Sequence, residues 1–257
     1  MATLSAHTTS PTDAAGRPNS AHLIETLSVA LLLGAAGYAA LFVAPTERTM
    51  GVIQRIFYFH VPSWWTAFVA FAIVVVSNVA YLRGRKPKWD WLAVSAAEVG
   101  VAFVTVGLVT GPIWAHPVWG IWWTWDARLT SAFVLWVLYV SYLLLRDLIE
   151  EPERRAVISA VFGIFAAVDI PLVYFSIWFF RTQHPQPVIG DGGSLDPRMA
   201  KVLLFCWAAM MGVLVLMVRQ RYRVEALRWE VDRLRLESAQ DANESSSRQG
   251  TAMGESQ

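Results

Sequence analysis

The chain has 257 residues, 55% of them hydrophobic and 16% charged, with a formal net charge of +1. Ordinary water-soluble domains carry about 25% charged residues, so this composition excludes that class and predicts an all-α polytopic membrane protein. Nothing in the balance marks a nucleic-acid partner, and the lone Cys206 in an apolar run excludes a disulfide framework, a CxxC redox pair and a c-type haem attachment motif.

Residues 1–22 are rich in Ala, Ser, Thr and Pro and predict a flexible cytoplasmic tail. The apolar run 23–44 is longer than a signal-peptide core and is followed at once by Pro45, so it is expected to stay as a first span. Five further runs follow at 62–82, 91–112, 129–145, 156–180 and 200–218. Each is close to the roughly 20 residues a helix needs to cross hydrocarbon. The runs are continuous rather than alternating, which excludes a closed β-barrel. A membrane domain over 23–218 is therefore expected, followed over 219–257 by an amphipathic cytoplasmic helix and a disordered tail.

Basic residues orient the spans. Arg83, Arg85, Lys86 and Lys88 follow the second run, Arg146, Arg154 and Arg155 the fourth, and Arg219, Arg221 and Arg223 the sixth. The positive-inside rule then puts both termini in the cytoplasm. His60, His116 and His184 share the opposite, outer face, and no histidine is expected in a span interior. Glu98 and Asp169 fall inside spans, where an acid marks either function or a buried partner. Pro171, two residues after Asp169, should kink the fifth span. In the tail, Val224, Leu227, Val231 and Leu234 recur at helical spacing, as expected of a helix lying on membrane lipid or docking a cytoplasmic subunit.

The stretch 111–131, GPIWAHPVWGIWWTWDARLTS, lies between the third and fourth runs and is expected as an outward-facing loop. Its Trp114, Trp119, Trp122, Trp123 and Trp125 end in Asp126. Any one of these Trp suits an aromatic-belt anchor. Together they offer a platform for a flat, apolar, partly anionic ligand.

Haem fits that description. Its iron takes axial nitrogens from both faces, its ring needs aromatic contact and its propionates need cations. His60 and His184 are candidates for the axial pair, and Arg48, Arg55, Arg128 and Arg181 for the propionates. Each histidine alone would serve equally as an interfacial hydrogen-bonding group. Structural zinc is a poorer fit, since the outer face offers three His and no Cys. No Walker A loop is present, so any ATP hydrolysis belongs to a partner, and no nucleophile and base pair predicts an enzyme. An alternative is a transporter moving haem or another anion along a path through Glu98 and Asp169. A passive subunit anchored by its Trp loop is a third reading.

The run WGIWWTWDARLTS resembles the WWD signature of haem-handling proteins. RIFYFHVPSWW around His60 and DIPLVYFSIWFFRTQHP, which ends on His184 and Pro185, resemble the two histidine-bearing segments of the CcmC family. That family is the six-helix component of system I cytochrome c maturation. The resemblance implies that haem b is held at the outer, periplasmic face of the bacterial inner membrane. It implies a WWD platform of Trp114, Trp119, Trp122, Trp123, Trp125 and Asp126, with axial His60 and His184. It further implies transfer to the haem chaperone CcmE, within an ABC-type complex with CcmA, CcmB and the small CcmD. The larger cytochrome c synthases resemble the chain less, having more spans and intramembrane histidines. His116 departs from the pattern as a third imidazole, and Gln183 stands where an apolar residue is expected.

Overall fold

The computed structural model describes residues 20–182, 184 and 195–254; beyond Arg235, side chains are described only at Glu237 and Ser238. The expectations for residues 1–19 and for Gln183 lie outside the described residues.

In hydrocarbon a backbone must satisfy its own polar groups, and the apolar runs accordingly form helices. These are α1 (Ser20–Tyr38), α2 (Phe57–Gly84), α3 (Pro87–Trp119), α4 (Ala127–Asp147), α5 (Pro152–Ala166), α6 (Asp169–Phe179) and α7 (Pro197–Gly254). A π-helical turn, Ala39–Val43, extends α1, and a 3-10 turn, Val52–Ile56, leads into α2. No strand occurs among the described residues. Among the described residues six helical spans are long and apolar enough to cross a membrane: Ser20–Val43, Val52–Gly84, Pro87–Trp119, Ala127–Asp147, Pro152–Phe179 and Pro197–Arg235. This matches the expected count.

The helices overrun their apolar cores. The α2 helix begins before Pro62, so His60 sits inside its first turns rather than ahead of it. The α3 helix continues through Pro112 and Pro117, each of which forfeits one backbone bond that a 33-residue helix tolerates. Much of the Trp-rich stretch is therefore helical, and the loop shrinks to residues 120–126. Gly120 ends α3 in the left-handed conformation, φ 74°, donating its N–H to the His116 carbonyl at 2.8 Å. The fifth span breaks at residues 167–168. Pro171 has no N–H for the Ala167 carbonyl, and Ile170 N–H takes that acceptor instead at 3.1 Å. Asp169 then opens α6, where a helix favours negative charge. At the far end α7 runs on to Gly254. No proline follows Pro197, and between Gly212 and Gly250 no glycine interrupts it.

At the centre, α2 and α3 form an antiparallel pair in which three rings of α2 each face a glycine of α3. Phe71 lies over Gly100, Trp64 over Gly107 and His60 over Gly111. Steps of four and seven residues along one helix match equal steps back along the other, so the register is continuous. A Cβ at Gly107 would come within 2.5 Å of Trp64 Nε1. Phe71 also stacks on Tyr139 of α4, centroids 3.7 Å apart and planes 7° apart.

Ion pairs tie the end of the bundle remote from the Trp-rich stretch. Arg146 grips Asp90 with two bonds of 2.6 and 2.7 Å, both residues buried. Arg221 similarly holds Glu98, and Arg219 reaches Glu25 at 2.6 Å. Arg146 is thus a residue of α4 committed to α3, not a loop charge. Its partner is 56 residues away and nothing local announces it. Trp91 packs against Tyr222 and Trp229, continuing the α3–α7 contact beyond the ion pair.

Candidate functional site

Opposite those ion pairs, a cavity of about 850 Å³ opens where the α1–α2 turn, the α3–α4 loop and the start of α7 meet. This lies within the range of pockets that enclose small-molecule ligands. His60 and His184 both line it, their ring centroids 6.5 Å apart and their planes inclined by 30°. An imidazole nitrogen binds a transition metal at about 2 Å and lies about 1 Å from its ring centre, so two trans imidazoles on one metal hold centroids roughly 6 Å apart. The observed centroid separation is close to that value.

His60 is held on several sides. It is 6% exposed, its Nδ1 lies 2.9 Å from Thr110 Oγ1, and Trp114 and Trp64 approach edge-on with centroids at 5.8 and 6.5 Å. Gly111 supplies the clearance, since a Cβ there would stand 3.3 Å from His60 Cε1.

His184 is anchored through the chain beside it. Its backbone N–H donates to Thr182 Oγ1 at 3.1 Å, and Thr182 Oγ1 donates to Asp126 Oδ2 at 2.9 Å. The Asp126 carboxylate also accepts from Thr124 Oγ1 and from the backbone N–H groups of Arg128 and Leu129, each at 3.0 Å, so it N-caps α4. Asp126 therefore joins the loop carrying the tryptophans to the segment carrying His184. It was expected on the platform but is not among the cavity-lining residues, because its oxygens are engaged by these protein donors.

The tryptophans divide similarly. Trp114, Trp119, Trp122 and Trp123 line the cavity. Trp125 turns away, 72% exposed, into a separate apolar groove of about 400 Å³ bounded by Phe133 and Trp136. His116 stacks on Trp122, centroids 4.2 Å apart and planes 18° apart, and is not brought into the cavity wall. Of the four arginines, Arg48 and Arg128 line the cavity, whereas Arg55 and Arg181 do not.

The donor set suits one kind of ligand. Among the described residues no group of three or more His, Cys, Asp or Glu could hold a bare metal ion. Two facing imidazoles leave the remaining positions of a metal to come from the ligand itself, which a porphyrin provides. Sequence reasoning did not reach Thr110, Thr182, Trp64, Gly107 or Gly111. The glycine spacing on α3 was a usable signal, but only once paired against α2.

Fold and cavity together define a polytopic helical membrane protein with an aromatic, bis-histidine cavity at one end of its bundle. The family model described as Heme exporter protein C, CcmC, matches residues 7–237, and the chain belongs to this family. It is 32% identical over 212 residues to Heme exporter protein C of Bradyrhizobium diazoefficiens, covering 82% of this chain and 79% of the relative. The Haemophilus influenzae protein of the same description is 28% identical over 205 residues, 79% of this chain and 83% of its own length. That of Escherichia coli is 32% identical over 160 residues, covering 62% and 65%. The resemblance read from the WWD and histidine segments is thereby shown.

Proposed function

We propose that this chain is a haem-binding membrane chaperone that holds haem b between His60 and His184 and presents it for cytochrome c maturation. Membership of the CcmC family supports the cargo. The observation that carries the binding mode is the pair of imidazoles at the spacing of one macrocycle. Trp114, Trp119, Trp122 and Trp123 form the walls against the ring, and Arg48 and Arg128 are placed for the propionates.

The cavity faces the periplasm in this reading. Clusters of Arg and Lys after the second and fourth spans support that orientation through the positive-inside rule. The acceptor is the haem chaperone CcmE, and CcmA, CcmB and CcmD complete an ABC-type complex whose ATP hydrolysis lies outside this chain. The chain's own residues orient the cargo, exclude water from its faces and leave one edge to the acceptor. Glu98 is occupied by Arg221 and Asp169 opens α6 beside the helix break, so both are assigned to holding the bundle rather than to an anion path.

The test is the absorption spectrum of protein purified with its cargo. His60→Ala and His184→Ala should each abolish the bis-histidine signature and transfer to the acceptor while the protein stays in the membrane. Unchanged haem content and spectra in both variants would overturn the proposal.

A further inference from the structure

We propose that Thr110 is a positioning residue that holds His60 as the tautomer protonated on Nδ1, so that Nε2 is the nitrogen offered to iron. This rests on the haem reading above and assigns a role to a residue outside the histidine and WWD segments.

Thr110 Oγ1 lies 2.7 Å from the Val106 carbonyl, one helical turn earlier. A carbonyl only accepts, so that contact uses the single hydrogen of the hydroxyl. The other close oxygen, the Gly107 carbonyl at 3.3 Å, is an acceptor as well. Toward His60 Nδ1, 2.9 Å away, Oγ1 is left with lone pairs alone, and the hydrogen between them belongs to the imidazole. A neutral imidazole carries one N–H. Nε2 therefore keeps its lone pair.

The ring is also fixed in direction. Trp114 and Trp64 pack edge-on against it and Gly111 lies across Cε1, so a ring flip that would put Cδ2 in place of Nδ1 and Cε1 in place of Nε2 meets protein on those sides. Donation from Nδ1–H to an oxygen acceptor raises the basicity of the opposite nitrogen and favours ferric over ferrous iron. Thr110 thus sets both which nitrogen binds and how strongly it donates.

The experiment uses the full chain in detergent with haem added, comparing the parent with Thr110→Val, Thr110→Ser and His60→Ala. Haem affinity, the one-electron midpoint potential and the imidazole nitrogen resonances of the haem-free protein are measured. Thr110→Val should weaken haem binding about 10–100-fold. A tenfold loss confined to the ferric state raises the midpoint potential by about 59 mV. Thr110→Ser restores affinity and potential, and the parent's resonances show Nδ1 protonated. A merely structural residue would leave the potential and the resonances unmoved. Parent-like affinity and potential in Thr110→Val, or a haem-free parent protonated on Nε2, overturns the inference even if one variant fails to fold. If His60→Ala also keeps the parent spectrum, the haem reading itself falls; if only His60→Ala loses it, this inference alone falls.

Discussion

Gly107→Ala tests whether the close approach of α2 and α3 shapes the cavity wall. An added Cβ would lie 2.5 Å from Trp64 Nε1 and 2.7 Å from its Cε2. Unstrained contacts between heavy atoms need about 3.5–4.0 Å, so the indole or its helix must retreat by roughly 1 Å. Overpacking of this kind costs about 1–3 kcal/mol. Alanine's helix preference returns up to about 1 kcal/mol, leaving a net destabilisation of roughly 0–2 kcal/mol. Trp64 lines the cavity and packs against His60, so its displacement disturbs the histidine as well. Unfolding in detergent and haem retention are measured in parallel, with Gly34→Ala as control because nothing lies within 4 Å of a Cβ there. The control should match or exceed the parent in stability, and Gly107→Ala should fall below it in both measurements. If the two variants behave alike, the close approach does not shape the wall.

Asp126→Ala should lower haem retention although Asp126 is not part of the cavity wall, because it releases Thr182 and with it the chain at His184. The lost N-cap adds about 0.5–2 kcal/mol of destabilisation, and Asp126→Asn, which can still cap α4, should be milder on both counts. At the opposite end, Asp90→Asn or Arg146→Leu alone should each cost about 3–5 kcal/mol, since each strands a buried partner. Replacing both with apolar residues should recover most of that loss. A double-mutant cycle that instead finds the two losses additive would show that the pair is not coupled.

The spans were legible because hydrocarbon imposes a length and an apolar composition that a chain displays openly. Their ends were not. Pro62 and Pro112 read as boundaries, yet α2 and α3 run through them, since one lost bond is minor in a long helix. The kink near Pro171 was legible, because a missing donor acts locally. Arg146 looked like a loop charge until its bidentate bond to Asp90 placed it inside the bundle.

The candidate site divides the same way. His60, His184 and the cavity tryptophans could be selected from residue type and topology, since side-chain chemistry belongs to the residue itself. The hydrogen bonds that join Thr110 to His60 and Thr182 to Asp126 span 50 and 56 residues. Such partners carry no local pattern, and the same is true of Trp125 turning outward and of Asp126 serving α4. By itself the sequence determined how many helices cross the membrane and which rings and imidazoles gather at one end. Only tertiary packing decided which of them meet, because helix register and glycine clearance place His60 while the Asp126–Thr182 bond holds the chain at His184, whose ring lies 6.5 Å away.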